Sequence, residues 1–289
     1  MSGYGEGLPI PTKSAACIIS RFPDPNFQRG SNVSHANVVV DQFTRQAFAF
    51  ASAPQIQDTQ ALDLLLRATN ANTSDTSLDV ACGPGIVACH FAKVVRQATG
   101  IDLTDAMLDQ ARELQTRMGL QNVEWQQGDV TALPYNDASF SVVTSRYAFH
   151  HFEDPRAVLS EMMRVCKPEG TVAVMDVCVS EDLAKAENFN RMEKYRDPSH
   201  TRALPLSELL RLFASAGLSP PTVDFYQMEV RLDHLLKASF PNPGDADAVE
   251  KLVRDSLQTD SLGTNTRMRD GKLVFSYPIA VLAARTTPS

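Results

Sequence analysis

A disulfide framework is missing from this 289-residue chain. Its five cysteines, Cys17, Cys82, Cys89, Cys166 and Cys178, are odd in number and scattered through apolar stretches. That distribution suits buried, reduced thiols. No CxxC pair is present, so no zinc site is indicated and no metal ligand is expected. Runs of lysine and arginine are also missing. With 27 basic against 34 acidic residues the net charge is −7, and nothing tracks a phosphate backbone, so nucleic acid is excluded as the expected partner. No apolar run approaches the roughly 20 residues that cross a bilayer. The first residues lack the charged-then-apolar order of a secretory signal. These absences predict a soluble cytoplasmic protein with no membrane span.

Glycine and proline crowd the start of the chain, from Gly3, Gly5 and Gly7 to Pro23, Pro25 and Gly30, which predicts a flexible tail over 1–33. The remainder, 34–289, reads as one domain with lid helices at 34–70. At this length about 75% of the unfolded surface can be buried. Ser34 caps a predicted helix over 35–50, in which Val39, Phe43, Gln46 and Phe50 share a face. A second helix covers 60–68.

The stretch LDVACGPG (78–85) reads as a buried strand entering a glycine-rich turn, followed by a helix over 86–97. Amides at such a helix start point into a cleft, and two glycines let a ligand approach the main chain. Asp102 ends a second apolar stretch, 19 residues after Gly83, where an acid holds ribose hydroxyls. Gly83, Gly85 and Ala88 also satisfy the dinucleotide fingerprint G-x-G-x-x-A, so a nicotinamide-dependent oxidoreductase is an alternative. Gly128-Asp129 follows a third strand at 122–127. An acid there can accept from an exocyclic amine such as that of adenine, or it can simply form a turn.

Strands and helices continue to alternate. Thr104 caps a helix that Gly119 ends, a fourth strand covers 140–145, a helix starts at Asp154-Pro155, and a fifth strand covers 171–177. Helical stretches near 181–195, 205–216, 231–239 and 245–258 surround a strand at 223–230, and a last strand covers 272–284. The order predicts an open, doubly wound α/β sheet.

LDVACGPG, GIDLTDAMLDQAR, GDVTALPY, SRYAFHHF and EMMRVCKPEGTVAVMD together resemble class I S-adenosylmethionine-dependent methyltransferases. Within that class they are similar to the branch containing the ubiquinone and menaquinone methyltransferases and many small-molecule methyltransferases. The resemblance covers about 36–218. It implies a seven-stranded, mostly parallel Rossmann-like sheet with an antiparallel last strand and helical cap insertions at 181–203 and 231–260. It also implies S-adenosylmethionine as cofactor, S-adenosylhomocysteine as product and a small-molecule acceptor; a homodimer is compatible with it. By position, Asp79, Gly83 and Gly85 would cradle the methionine end, and Asp102 would bind both ribose hydroxyls. Leu103 and Met107 would lie against the adenine, Asp129 would take its amine and the Val130 amide a ring nitrogen. Ser145 and Arg146 would lie near the methionine carboxylate and amine. The helix carrying Phe43 and Gln46 would fold over the cofactor. Many relatives have glycine at Ala81, and alanine there implies tighter packing with binding retained.

Tyr147, His150 and His151 follow the fourth strand, at the edge where such sheets bind ligands. A histidine there can act as general base, or one ring can simply pin the loop. Tyr195 and His200 are candidate acceptor contacts, because the inserted helices wall a pocket. Tyr195, Phe225, Tyr226 and Phe240 point to an aromatic, rather apolar acceptor. A protein that binds S-adenosylmethionine without methylating is the remaining alternative.

Overall fold

A computed structural model describes residues 34–53 and 56–287; the tail expected over 1–33, with Cys17, lies outside the described residues. Two helices come first, α1 (His35–Ser52) and α2 (Thr59–Thr69). Ser34 caps α1 as expected, its Oγ accepting from the Asn37 amide. Then follow β1 (Thr76–Val80), α3 (Ile86–Phe91), β2 (Gln97–Asp102), α4 (Asp105–Met118), β3 (Val123–Gln127) and β4 (Phe140–Arg146). A single 3-10 turn, Phe149–His151, leads to α5 (Pro155–Val165), β5 (Cys166–Val179) and α6 (Leu183–Arg196). The rest comprises β6 (Leu204–Pro205), α7 (Leu206–Ser215), β7 (Thr222–Arg231), α8 (Leu232–Ala238), α9 (Asp245–Thr259), β8 (Arg267–Arg269) and β9 (Lys272–Arg285).

The sheet order is β3-β2-β1-β4-β5-β9-β7. Strands β3 to β5 pair in parallel, and β9 runs antiparallel between β5 and β7. Nine strands are present among the described residues rather than seven. The additional β6 and β8 are two and three residues long, too short to carry a periodic signal. Residues 170–179 of β5 are all buried, as a strand covered on both faces requires. Ala173, Met175 and Val177 join one apolar cluster with Leu65, Phe91 and Phe275, whereas Val172 and Val174 join the opposite one with Leu159, Met162 and Phe213. Each such aliphatic side chain contributes about 1.5–3 kcal/mol by burial.

Helix α3 stops at Phe91 instead of continuing to 97. The Asn122 side-chain amide donates to the carbonyls of Ala92 (2.9 Å) and Val95 (3.1 Å), capturing groups a longer helix would use internally. The Arg96 amide pairs with Asp75 O, starting β2 early. No described helix is long and apolar enough to cross a membrane.

Candidate functional site

The crevice outside the carboxyl ends of parallel strands is where open α/β sheets hold ligands. Two adjoining cavities lie there, one of about 370 Å³ and one of about 260 Å³. Phe43, Phe50, Ile56, Tyr147 and His151 line both and form their boundary.

The turn after β1 carries two glycines with different roles. Both have positive φ, +51° at Gly83 and +75° at Gly85. A Cβ at Gly83 would meet nothing within 4 Å, and Gly83 lines the first cavity, so a ligand can lie against its backbone. A Cβ at Gly85 would stand 2.4 Å from Trp125 and 2.7 Å from Ala111. Gly85 is therefore a packing glycine; with Gly100 it seats Trp125, whose Nε1 donates to Gln115 Oε1 at 2.7 Å. Ala81 lines the first cavity at φ +56°, so its effect is backbone strain of about 1 kcal/mol, beyond the tighter packing expected.

Asp102 ends β2 with its carboxylate fixed by two amides. Gly83 N donates to Oδ2 at 2.8 Å and Thr104 N to Oδ1 at 2.9 Å. A carboxylate offers about four lone-pair sites, so two remain for hydroxyls. Burial raises the Asp102 pKa, and the two amides oppose it. Thr104 stands at the N-cap of α4, but its side chain makes no capping bond and its hydroxyl is buried without a partner. Thr104 therefore occupies the N-cap position as expected but without a side-chain cap, and its own amide goes to the Asp102 carboxylate.

Asp79 at the end of β1 and Arg146 at the end of β4 line the same cavity. Asp79 Oδ2 is buried without a partner, and so are Arg146 Nε and Nη2; Nη1 alone is bonded, to Ile56 O at 2.9 Å. Burial pushes the Asp79 carboxyl up to about 7 against the attraction of Arg146. Two unsatisfied groups of opposite sign suit a ligand carrying an ammonium beside a carboxylate, which the methionine end of S-adenosylmethionine does. The residues therefore fit that cofactor.

Leu103, Met107 and Val130 line this cavity as well, and so does Asp129. Asp129 Oδ1 accepts from the amide and hydroxyl of Thr131, each at 2.8 Å, while Oδ2 has no partner among the described residues. Gly128 and Ser145 line neither cavity; Ser145 Oγ donates to Val80 O at 2.9 Å and ties β4 to β1.

The second cavity is largely apolar, with His150, His151 and a buried ion cluster in its wall. His150 Nδ1 lies 2.6 Å from Asp176 Oδ1. Asp176 also accepts from the amides of His150 and Val177. Burial alone would lower the His150 pKa, but Asp176 outweighs it and the net shift is upward. Burial and the neighbouring His150 push His151 down to about 3. Tyr147, at φ +55°, is a strained aromatic at the boundary; its hydroxyl is buried without a partner and the Arg146 guanidinium lies 4.3 Å above its ring. The ring of Phe43 meets that of His151 edge-on at 5.0 Å.

Gln46 lines the second cavity rather than the first, and its Nε2 donates to Asp197 Oδ2 at 3.3 Å. This bond holds α1 over the wall of the second cavity. Arg196 is bonded to Glu193 and to Ser239, and Tyr277 donates to Glu193 Oε1 at 2.6 Å, so this cluster satisfies itself. Tyr195 and His200 line neither cavity. Tyr195 is rotated about 100° around α6 from its neighbour Arg196 and packs on the core. His200 Nε2 pairs with Asn190 Oδ1 at 2.8 Å. Asp176, Asp197 and Ser199 are further residues of this site to which the motifs assign no role. Asp176 is the single acid in the largely apolar, fully buried stretch of β5, residues 170–179, a signal legible in the sequence.

Residues 78–174 match the methyltransferase domain family. The chain is 30% identical over 195 residues to YcgJ, an uncharacterized methyltransferase of Bacillus subtilis, spanning 68% of this chain and 77% of that one. The YcgJ crystal structure superposes with a TM-score of 0.73 at 26% identity, covering 80% of this chain and 100% of that chain. A structure from Bacillus halodurans gives 0.72 at 29% identity, over 79% and 99%. The ubiquinone/menaquinone biosynthesis C-methyltransferase UbiE of Desulfotalea psychrophila is 31% identical over 165 residues, 56% of this chain and 64% of that protein. The glycine turn is thus a methyltransferase turn rather than a dehydrogenase fingerprint, and the chain belongs to the class I S-adenosylmethionine-dependent methyltransferases.

Proposed function

We propose that this enzyme methylates a hydroxyl of a small, largely apolar ring compound held in the second cavity, with His150 as general base. The observation that carries this is the His150–Asp176 pair in a cavity that shares a wall with the one fitted to the cofactor. A volume of about 260 Å³ equals that of roughly nine waters, room for one or two rings. The relative named for quinone biosynthesis supports a conjugated ring acceptor. The four buried free thiols support a reducing, cytoplasmic setting.

Asp79 and Arg146 would hold the amino-acid end of the cofactor and Asp102 its ribose. Leu103 and Met107 would pack on the adenine, with Asp129 Oδ2 and the Val130 amide at its edge. When bound, S-adenosylmethionine supplies an electrophilic methyl group: the acceptor oxygen's pair forms the C–O bond, sulfur keeps the pair of the broken C–S bond, and His150 Nε2 keeps the acceptor's proton. Asp176 holds the His150 ring in the tautomer whose Nε2 is bare and stabilises the imidazolium that forms. Phe43 and Phe50 exclude water where the cavities meet.

The test is product mass, with the methylated atom located by NMR, after incubation with phenols and S-adenosylmethionine. Transfer of one methyl to oxygen by the wild type, lost in His150→Ala, is expected. Equal transfer by His150→Ala would remove the histidine from the mechanism.

A further inference from the structure

Granting, on the reading above, that His150 takes the proton of an acceptor hydroxyl, the ring beside it sets a second requirement. Ser199 Oγ lies 2.5 Å from Asp197 Oδ1, an ionised carboxylate that only accepts. The one hydroxyl hydrogen of Ser199 therefore goes to Asp197. Ser199 Oγ is left to accept from His151 Nδ1, 3.2 Å away. This hydrogen-bond network assigns His151 the Nδ1–H tautomer with a bare Nε2. Asp176 assigns His150 the same tautomer. Neither Nε2 has a partner among the described residues, both rings line the second cavity, and their centroids are 4.2 Å apart. With the centroids this close, the two acceptor nitrogens can be no farther apart than the span of two hydroxyls on neighbouring carbons that each make a bond of about 2.7 Å. The neighbouring Arg196 is engaged by Glu193 and Ser239.

We propose that the acceptor is a vicinal diol of the catechol or enediol type, one hydroxyl giving its proton to His150 Nε2 while its neighbour donates a hydrogen bond to His151 Nε2. His151 is then a specificity residue and Ser199 the positioning residue that sets its tautomer. The low His151 pKa keeps that ring neutral, so it accepts at every working pH. Bond changes are those of the single transfer: the O–H proton goes to His150, the C–O bond forms, the C–S pair stays on sulfur, and the imidazolium later releases its proton to water. A monohydroxy acceptor leaves the His151 nitrogen unpaired. A monomethylated diol sets an ether oxygen against that lone pair, so one methylation per diol follows.

The test is kcat/KM for catechol, phenol and 2-methoxyphenol with the full chain and S-adenosylmethionine, in wild type and Ser199→Ala. Wild type should favour catechol over both others by at least about tenfold, the effect of leaving one buried acceptor unpaired. Ser199→Ala frees Nδ1, lets the proton move to Nε2, and should cut the catechol to 2-methoxyphenol ratio by at least about tenfold. Should Ser199→Ala fail to fold, His151→Phe serves in its place and brings catechol and phenol to near parity. Wild type that accepts all three alike overturns the diol assignment and leaves hydroxyl methylation at His150 standing. No turnover of any of the three, with S-adenosylhomocysteine binding confirmed by calorimetry, overturns the hydroxyl reading and this one with it.

Discussion

Adding one methyl group at each of two neighbouring glycines should separate folding from cofactor binding. In Gly85→Ala the left-handed φ of +75° costs about 1–2 kcal/mol. The new Cβ also falls 2.4 Å from Trp125 and 2.7 Å from Ala111, an overpacking that adds about 1–3 kcal/mol. The sum, about 2–5 kcal/mol, lowers Tm by roughly 5–20 °C for a domain of this size. In Gly83→Ala only the φ contribution applies, because nothing stands within 4 Å of the new Cβ. Its Tm should fall by no more than about 2–8 °C. The methyl group occupies the cofactor's side of the turn, so affinity for S-adenosylhomocysteine should drop by at least about tenfold. Thermal melting and calorimetric titration of both variants read these effects separately. Trp125→Phe combined with Gly85→Ala should recover at least about 1 kcal/mol in a double-mutant cycle, since two of the three colliding atoms belong to the indole and the third is the Ala111 Cβ. A Gly85→Ala protein that melts with the wild type, or a Gly83→Ala protein that is the less stable of the two, refutes this division of roles.

The base should show in pH profiles: kcat/KM rises with pH as His150 becomes neutral, with its midpoint above the ordinary histidine value because of Asp176. Asp176→Asn should move that limb toward acid and lower the plateau at least about 100-fold; an unmoved limb would separate Asp176 from the base. Asp79 is protonated more readily folded than unfolded, so its contribution to stability is full below the unfolded value of 3.8 and is lost as pH rises through about 7. Asp79→Asn should therefore stabilise the cofactor-free protein at pH 8 by up to about 4 kcal/mol and leave its stability nearly unchanged at pH 4, as read by calorimetric melts. Ala81→Gly removes the strain at φ +56° and should stabilise by about 1 kcal/mol, read in the same melts.

Residues whose roles follow from chain position were legible in the sequence. Gly83 and Asp102 lie at strand ends, where the α/β pattern alone puts a ligand, and the structure brings them together through the 2.8 Å bond from Gly83 N. Residues whose roles depend on side-chain direction were not. Gly85 reads like Gly83 in sequence, and only the approach of Trp125 from β3 makes it a packing residue. Tyr195 and Arg196 are neighbours, yet one helical step sends the first to the core and the second to the wall of the second cavity. His150 and His151 form a pair in sequence, and their opposite tuning comes from Asp176, 26 positions away, which raises the first, and from burial beside His150, which lowers the second. The short strand β6 exists through tertiary pairing with β5, which no local pattern announces, whereas β8 turns back onto β9 through Asp270-Gly271, a two-residue hairpin signal legible in the sequence.

The most direct measurement is calorimetric titration of the wild type and Asp102→Ala with S-adenosylhomocysteine, beside a control with NADH. One site per chain in the wild type, at least about tenfold weaker binding in Asp102→Ala, and no heat from NADH are the predicted results. Binding of NADH in place of S-adenosylhomocysteine, or unchanged affinity in Asp102→Ala, would contradict the assignment of this cleft.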